Sequence, residues 1–403
     1  MKKCPLHEFC GGCDYQGIPY PQQLKMKQER VNSLLSEFGK VSSIIACEDP
    51  YNYRNKAQFS FGYDEKGKII SGYYMSGSHR IVPVDECMLV NEGINKIYSS
   101  VKRIIISNHI SVYDERRSKG CLRHVLIRST SLGEYMVVLV TASAFLMKKE
   151  KIVNDILKYN PEVKTIVHNI NEGKTSAVLG KRNIILYGKG YITDELCGMR
   201  FRISPSSFYQ VNRIQTSILY EKAIEAAEMN KYDTLIDAYC GTGTITLSAS
   251  GYVKKAIGVE TNHFAVKDAE INKKINDAGN CEFVCEDAGR YMDLLAKRKT
   301  HIDIVIMDPP RGGSDERFLS SVMKMGPEKI IYISCNPVTL KRDLHVLKKH
   351  YDISLIQPVD MFPFTEHVET VCCLYHQKKE FISVHYEPKD AEYLKQNLSN
   401  KKD

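Results

Sequence analysis

The chain has 403 residues, 43% of them apolar and 26% charged, the profile of a soluble globular protein of two or three domains. No apolar run reaches the length of a bilayer span, and the opening MKKCPLHEFC lacks a secretory signal, so a cytoplasmic location with no membrane contact is expected. A net charge of +8 permits a phosphate-rich partner without demanding one, and thirteen cysteines in a reducing compartment read as thiols, ligands or nucleophiles, not disulfides. The first ten-residue stretch, CPLHEFCGGC, holds Cys4, His7, Cys10 and Cys13. Two sites compete there: these four residues around zinc, or the three cysteines with a distant fourth thiolate around an iron–sulfur cluster. Read alone, the stretch leans to zinc. Next, PYPQQLKMKQERVNSLLSEFG predicts a helix introduced by prolines and closed by Gly39.

From about residue 51 to 203 short alternating segments dominate, such as KAQFSFGY, HVLIRST and EYMVVLVTA, with one helix near KKEKIVNDILKY. This unit is expected to be β-rich. From 204 to 387 the pattern becomes a helix, IQTSILYEKAIEAAEM, and then strands alternating with helices. The predicted strands are DTLIDAY, KAIGVE, CEFVCE, IDIVIMD, KIIYIS and VETVCCLYH. Such alternation predicts an α/β, Rossmann-like, mostly parallel sheet that collects ligands at its strands' carboxyl ends. Residues 1–50 form a separate cysteine-and-helix segment, and 388–403 a charged tail.

The motifs fall at those strand ends. Gly241 and Gly243 follow the first strand of the α/β unit and precede a helix, where the backbone can approach a ligand. Glu260 ends the second strand, placed to accept hydrogen bonds from a ribose. Thr246 stands where a dinucleotide fingerprint has its third glycine, which favours S-adenosylmethionine over NAD as the ribose-bearing ligand. Asp287 either reaches an adenine edge or caps the following helix.

The fourth strand ends in Asp308-Pro309-Pro310-Arg311, whose prolines fix the backbone around the carboxylate. Cys335 follows the fifth strand just before a helix, where the macrodipole should favour thiolate. Glu369 precedes the last strand as a candidate general base, with Glu366 and His367 as competitors. A methyl donor, a thiol and a proton acceptor suit alkylation of pyrimidine C5, a carbon too weakly nucleophilic until a thiolate adds at C6. The competing readings are an NAD-dependent oxidoreductase and a silent zinc-containing RNA-binding protein in which Cys240 and Cys335 are core.

Taken together, ISPSSFYQVN, DAYCGTGT, DPPRGG, YISCNP and HVETV resemble the uracil-C5 RNA methyltransferase family, in its bacterial 23S rRNA branch with an iron–sulfur cluster. YRNKAQF, SGYYMSGSHRIVPVDEC and CLRHVLIR extend the resemblance upstream. It implies Cys335 as nucleophile and Glu369 as the base that takes the C5 proton. It implies S-adenosylmethionine contacts from Gln210, Tyr239, Glu260 and Asp308, with Asp308 also near the uracil. Phe208 matches an aromatic that touches flipped-out nucleotides. Cys87 is supplied as the fourth ligand beside Cys4, Cys10 and Cys13 for a 4Fe-4S cluster, leaving His7 outside. The implied partner is RNA, 23S rRNA free of the assembled ribosome, with tRNA as the alternative; a monomer without an obligate protein partner is expected. Two departures are noted: no small RNA-binding barrel (TRAM) precedes the cysteine cluster, and Thr244 replaces an Asn found in some members.

Overall fold

A computed structural model describes residues 3–115, 117–173 and 177–377. The tail expected at 388–403 lies outside the described residues. Two seven-stranded sheets organise the chain, joined by a two-stranded ribbon.

The chain begins with α1 (Tyr20–Leu35), started by Pro19 and Pro21 as expected. The first sheet follows, with β1 (Lys56–Tyr63), β2 (Ile69–Tyr74), β3 (Ile81–Pro83), α2 (Glu92–Ser107), β4 (Leu122–Ser129), β5 (Tyr135–Thr141), α3 (Lys149–Tyr159), β6 (Val163–Ile170) and β7 (Arg182–Gly188). Their order is β3-β2-β1-β4-β5-β6-β7, and only β5 and β6 run parallel. One face packs on α2 and α3 through Phe59, Val125, Val137, Tyr98, Val101 and Ile152. The α2 helix lies in the stretch read as almost wholly β. It is specified by Asn91, whose side chain accepts from Gly93 N and Ile94 N, and by an apolar face at Ile94, Ile97, Tyr98, Val101 and Ile105.

The ribbon is β8 (Ile192–Leu196) with β9 (Met199–Ile203). Then come α4 (Arg213–Ala227), β10 (Thr234–Ala238), α5 (Thr244–Ser250), β11 (Lys255–Glu260), α6 (His263–Ile275), β12 (Cys281–Cys285), α7 (Ala288–Lys297), β13 (Ile304–Met307), α8 (Glu316–Met325), β14 (Lys329–Ser334), α9 (Pro337–Leu347), β15 (Tyr351–Val359) and β16 (Glu369–His376). The second sheet has the order β12-β11-β10-β13-β14-β16-β15, parallel as far as β14 and antiparallel at β16 and β15. Its strands are buried on both faces, which explains their near-continuous apolar runs. The strand that sequence reading left out is β15. It is an edge strand and carries Pro358, a residue that argues against a strand unless it lies at an edge.

The N-terminal helix joins this second sheet. Val31, Leu35 and Phe38 pack in one core with Ile236, Tyr332, Leu344 and Tyr351. Each such buried side chain contributes about 1.5–3 kcal/mol. Among the described residues, no helix is long and apolar enough to cross a membrane.

Candidate active site

The carboxyl ends of β10, β11, β13 and β14 share one rim of the second sheet, where ligands gather in such folds. After β10 the chain turns through Tyr239, Gly241 and Gly243, all left-handed at φ 69°, 56° and 82°. A tyrosine held there stores about 1–3 kcal/mol of strain. Its hydroxyl is 3.2 Å from Ser314 Oγ and its ring tilts against Phe318, which anchor it.

The two glycines serve different ends. A Cβ on Gly241 would meet nothing within 4 Å, so this side of the turn is open to a ligand. A Cβ on Gly243 would meet Phe283 at 2.6 Å, so that glycine also serves packing. Thr246, in the place of a third glycine, donates from N and Oγ1 to Asp237 Oδ2 at 2.9 and 2.6 Å. Asp237 is fully buried with Oδ1 unpaired, and burial pushes its carboxyl up to about 7.

Glu260 braces the turn. Its Oε2 accepts from Gly241 N at 3.1 Å, and Oε1 accepts from Asn262 N at 2.8 Å and from the Thr261 hydroxyl at 3.2 Å. Carboxylate oxygens carry further lone pairs, so ribose hydroxyls can still be taken. Asp287 is the cap of α7, accepting from Arg290 N at 2.9 Å. The same residue lines an open cavity of about 550 Å³ with Thr261, Cys285, Glu286, Arg290 and Arg317, beyond Glu260 and roomy enough for a purine.

Gln210 and Phe208 sit on the segment between β9 and α4. The Gln210 carbonyl accepts from Asn55 Nδ2 at 2.9 Å, and Phe208 is 68% exposed. Exposure of so large a ring is what a base-stacking residue needs.

The reactive groups converge through strand register. Ser334 pairs with Thr370 in antiparallel β14 and β16, which sets Cys335 opposite Glu369. Met307 pairs with Tyr332, bringing Asp308 in from β13. Asn336 caps α9 through Val338 N, and Asn336 Nδ2 and Thr339 Oγ1 donate to the Arg311 carbonyl at 3.1 and 3.3 Å, fastening the two loops together. Cys335 and Asp308 are half-buried and Glu369 is buried.

The electrostatics correct one expectation. The Cys335 thiol is not activated by its helix; burial, then Glu369 and Asp308, push it up to about 11, with Arg311 opposing. Desolvation and two carboxylates outweigh the fractional charge of a helix end. Burial also holds Glu369 and Asp308 well above the usual carboxylate range, with Asp308 adding to the rise of Glu369 and Arg311 resisting it. Neither carboxyl has a hydrogen-bond donor among the described residues. Of the competitors, Glu366 is exposed and pairs with Arg30 at 3.4 Å, while His367 Nε2 lies 3.0 Å from Arg311 Nη2. Arg311 had no role assigned from sequence. Its place directly after two prolines was the signal that could have supplied one.

The four cysteines Cys4, Cys10, Cys13 and Cys87 line one cavity of about 240 Å³, together with His7, Gln16, Arg54 and Tyr73. Among the described residues, no three His, Cys, Asp or Glu side chains form a group that could hold a metal ion. His7 Nδ1 lies 3.0 Å from the Cys4 carbonyl and its Nε2 3.7 Å from Glu8. Gln16 Nε2 donates toward Cys13 Sγ at 3.6 Å, leaving its own buried Oε1 unpaired.

Residues 19–378 match the model of the tRNA (uracil-5-)-methyltransferase family. An uncharacterised RNA methyltransferase of Halalkalibacterium halodurans is 40% identical over 378 residues, spanning 92% of this chain and 82% of the relative. Another, from Caldanaerobacter subterraneus subsp. tengcongensis, is 41% identical over 374 residues, spanning 91% and 82%. Among solved structures, the tRNA (uracil-54, C5)-methyltransferase of Pyrococcus abyssi in complex with S-adenosyl-L-homocysteine superposes with a TM-score of 0.75 at 27% identity, covering 93% of this chain and 87% of that one.

Proposed function

The chain belongs to the tRNA (uracil-5-)-methyltransferase family, and from that premise we propose that it methylates uridine C5 in 23S rRNA through a covalent adduct on Cys335. The convergence of Cys335, Glu369 and Asp308 at one rim of the sheet carries this reading. Tyr239, Gly241 and Glu260 would hold S-adenosylmethionine, which would supply an electrophilic methyl group on its sulfonium sulfur. The residues present suit it: an open glycine, a carboxylate at that turn with lone pairs left for ribose hydroxyls, and a roomy cavity beyond.

The protein's own groups do the rest. The Cys335 thiol gives its proton to solvent and Sγ bonds to C6, moving the C5=C6 electron pair to C5; C5 then takes the methyl group as the methyl–sulfonium bond breaks and its electron pair stays on the departing sulfur. Glu369, buried and without hydrogen-bond donors, is a strong base for the C5 proton. As it takes that proton, the C5=C6 bond re-forms and the C6–S bond breaks, returning Cys335. Asp308 holds the uracil, and Arg311 offsets the negative charge that passes through the site. Phe208 stacks on a displaced base, worth about 1–3 kcal/mol.

The cysteine cavity is read as a 4Fe-4S site held by Cys4, Cys10, Cys13 and Cys87. What supports this reading over a zinc site of Cys4, His7, Cys10 and Cys13 is that Cys87 lines the same cavity as the three N-terminal cysteines, with no carboxylate among the lining residues. Four thiolates saturate such a cluster, so its role is structural.

RNA made with 5-fluorouridine is the decisive probe, because no C5 proton can leave. A methylated protein–RNA adduct should accumulate with the wild type and vanish with Cys335→Ala. Absence of the adduct in the wild type, or methylation by Cys335→Ala, overturns the covalent route. The Pyrococcus abyssi likeness favours tRNA as the second reading. Mapping 5-methyluridine in rRNA and tRNA from a deletion strain separates the two.

A further inference from the structure

Two cations of the first sheet stand where no anion balances them. Lys56 of β1 pairs directly across the strands with Arg128 of β4. Like charges so opposed are destabilising, and no carboxylate bears on either group. Arg128 is 4% exposed; its Nη2 donates to the carbonyls of Pro205 and Ser207 at 3.4 and 2.5 Å, while its buried Nε has no partner. Burial and the facing guanidinium push the half-buried Lys56 amine down to about 8. The charge of Lys56 therefore counts against the folded state below about pH 8, where folded and unfolded chains are both ionised. That cost fades only as pH rises toward the ordinary lysine range.

Their position says what they are for. The carbonyls that Arg128 holds precede the exposed Phe208, and Asn55, next to Lys56, donates to the Gln210 carbonyl beyond it. The pair thus lies under the segment that carries the base-stacking ring and borders the active site. An oxyanion at the half-buried Lys56 amine would balance its charge, and the buried Arg128 guanidinium facing it would add to the attraction.

Resting on the RNA reading above, we propose that Lys56, with Arg128 behind it, binds one backbone phosphate of the RNA strand bearing the target uridine. Arg128 also steadies the Phe208 segment, so the test rests on Lys56. Full-length wild type, Lys56→Gln and Lys56→Arg are titrated with an RNA that the wild type methylates, over a range of salt concentrations. Lys56→Gln should bind it about tenfold more weakly, with the log–log salt dependence shallower by about one unit. Lys56→Arg should keep both. S-adenosyl-L-homocysteine affinity should not change in either, and Lys56→Gln should melt at or above the wild-type temperature because an unbalanced charge is gone.

Unchanged RNA affinity and salt dependence in Lys56→Gln would overturn the site. So would a loss confined to S-adenosyl-L-homocysteine, which would assign the pair to the cofactor carboxylate, or a clear fall in melting temperature, which would make Lys56 structural. If the wild type methylates no RNA, the functional reading itself falls and takes this site with it.

Discussion

On the proposed route Cys335 acts as a nucleophile in surroundings that hold its proton on. Its thiol is pushed up to about 11, chiefly by burial and then by Glu369 and Asp308. Substrate binding must therefore relieve what the free protein imposes. In the free protein, alkylation of Cys335 by iodoacetamide, followed by peptide mass spectrometry, should rise about tenfold per pH unit and not level off before about pH 10. Glu369→Gln should alkylate faster than wild type above pH 8, where Glu369 is ionised and opposes the thiolate. At pH 6.5 Glu369 is already mostly neutral and the two should match. Arg311→Ala should be slower throughout, since the guanidinium favours thiolate. Equal rates for wild type and Glu369→Gln at pH 9 would remove the coupling. The sequence made Cys335 and Glu369 legible because each sits at a strand end, and strand ends could be read. The thiol's protonation could not be read, because it depends on Asp308 and Glu369 arriving from other strands. Asp287 shows the same limit: its capping hydrogen bond is local and legible, whereas the cavity beside it is made by Arg317 of α8.

Between residue and molecule, the decisive element is the loop from Asp360 to Val368 that delivers Glu369. Asn212 and Gln215 hold its start through the Met361 and Asp360 carbonyls, and the N-terminal segment supplies many of its other hydrogen bonds. Lys27 Nζ donates to Asp360 Oδ1 at 2.6 Å and to the Phe362 carbonyl at 3.1 Å, with both partners of the ion pair fully buried. Tyr20 donates to Asp360 Oδ2 at 2.8 Å; Asp14 N and Tyr15 N both donate to the Phe364 carbonyl at 3.0 Å. Gln23 Oε1 accepts from Phe364 N at 2.9 Å. Lys27→Met would leave Asp360 buried without its cation and should cost about 3–5 kcal/mol in urea unfolding. Adding Asp360→Leu to it should recover much of that loss. Hydrogen exchange over 360–368 should speed in Lys27→Met, and kcat should fall more than KM changes, because the base is misplaced and not the substrate site. Normal exchange there would separate α1 from the loop. The α1 helix itself was legible; its packing was not. Its buried residues are Gln23, Lys27, Val31 and Leu35, and half of that stripe is polar, so hydrophobic periodicity understates it.

At the scale of the whole molecule, the same N-terminal segment touches three bodies. Its helix packs on the second sheet, Asp14 and Tyr15 grip the loop before Glu369, and Cys4, Cys10 and Cys13 face Cys87 beyond β3 of the first sheet. Among the described residues, one bridge, Cys10 with Met75, and the hydrogen bond from Gly11 N to the Tyr74 carbonyl hold the cysteine turn to that sheet. Contacts so few cannot by themselves fix a segment that reaches this far, and loop closure between Cys13 and Cys87 opposes it. A cluster bridging the four thiolates would close that loop, and Asp14 follows Cys13 directly, so its loading should be felt at Glu369. Anaerobically purified wild type should carry about four irons per chain, and Cys87→Ala should lose them. Loss of one distant ligand should also speed hydrogen exchange both at residues 4–20 and at 360–368, with no change at β4 or β5. A zinc site built from Cys4, His7, Cys10 and Cys13 predicts the opposite, since Cys87→Ala would leave both metal and exchange untouched. Iron retained in Cys87→Ala would remove Cys87 from the ligand set. Iron lost with wild-type exchange at 360–368 would leave the cluster in place but cut its tie to the catalytic loop.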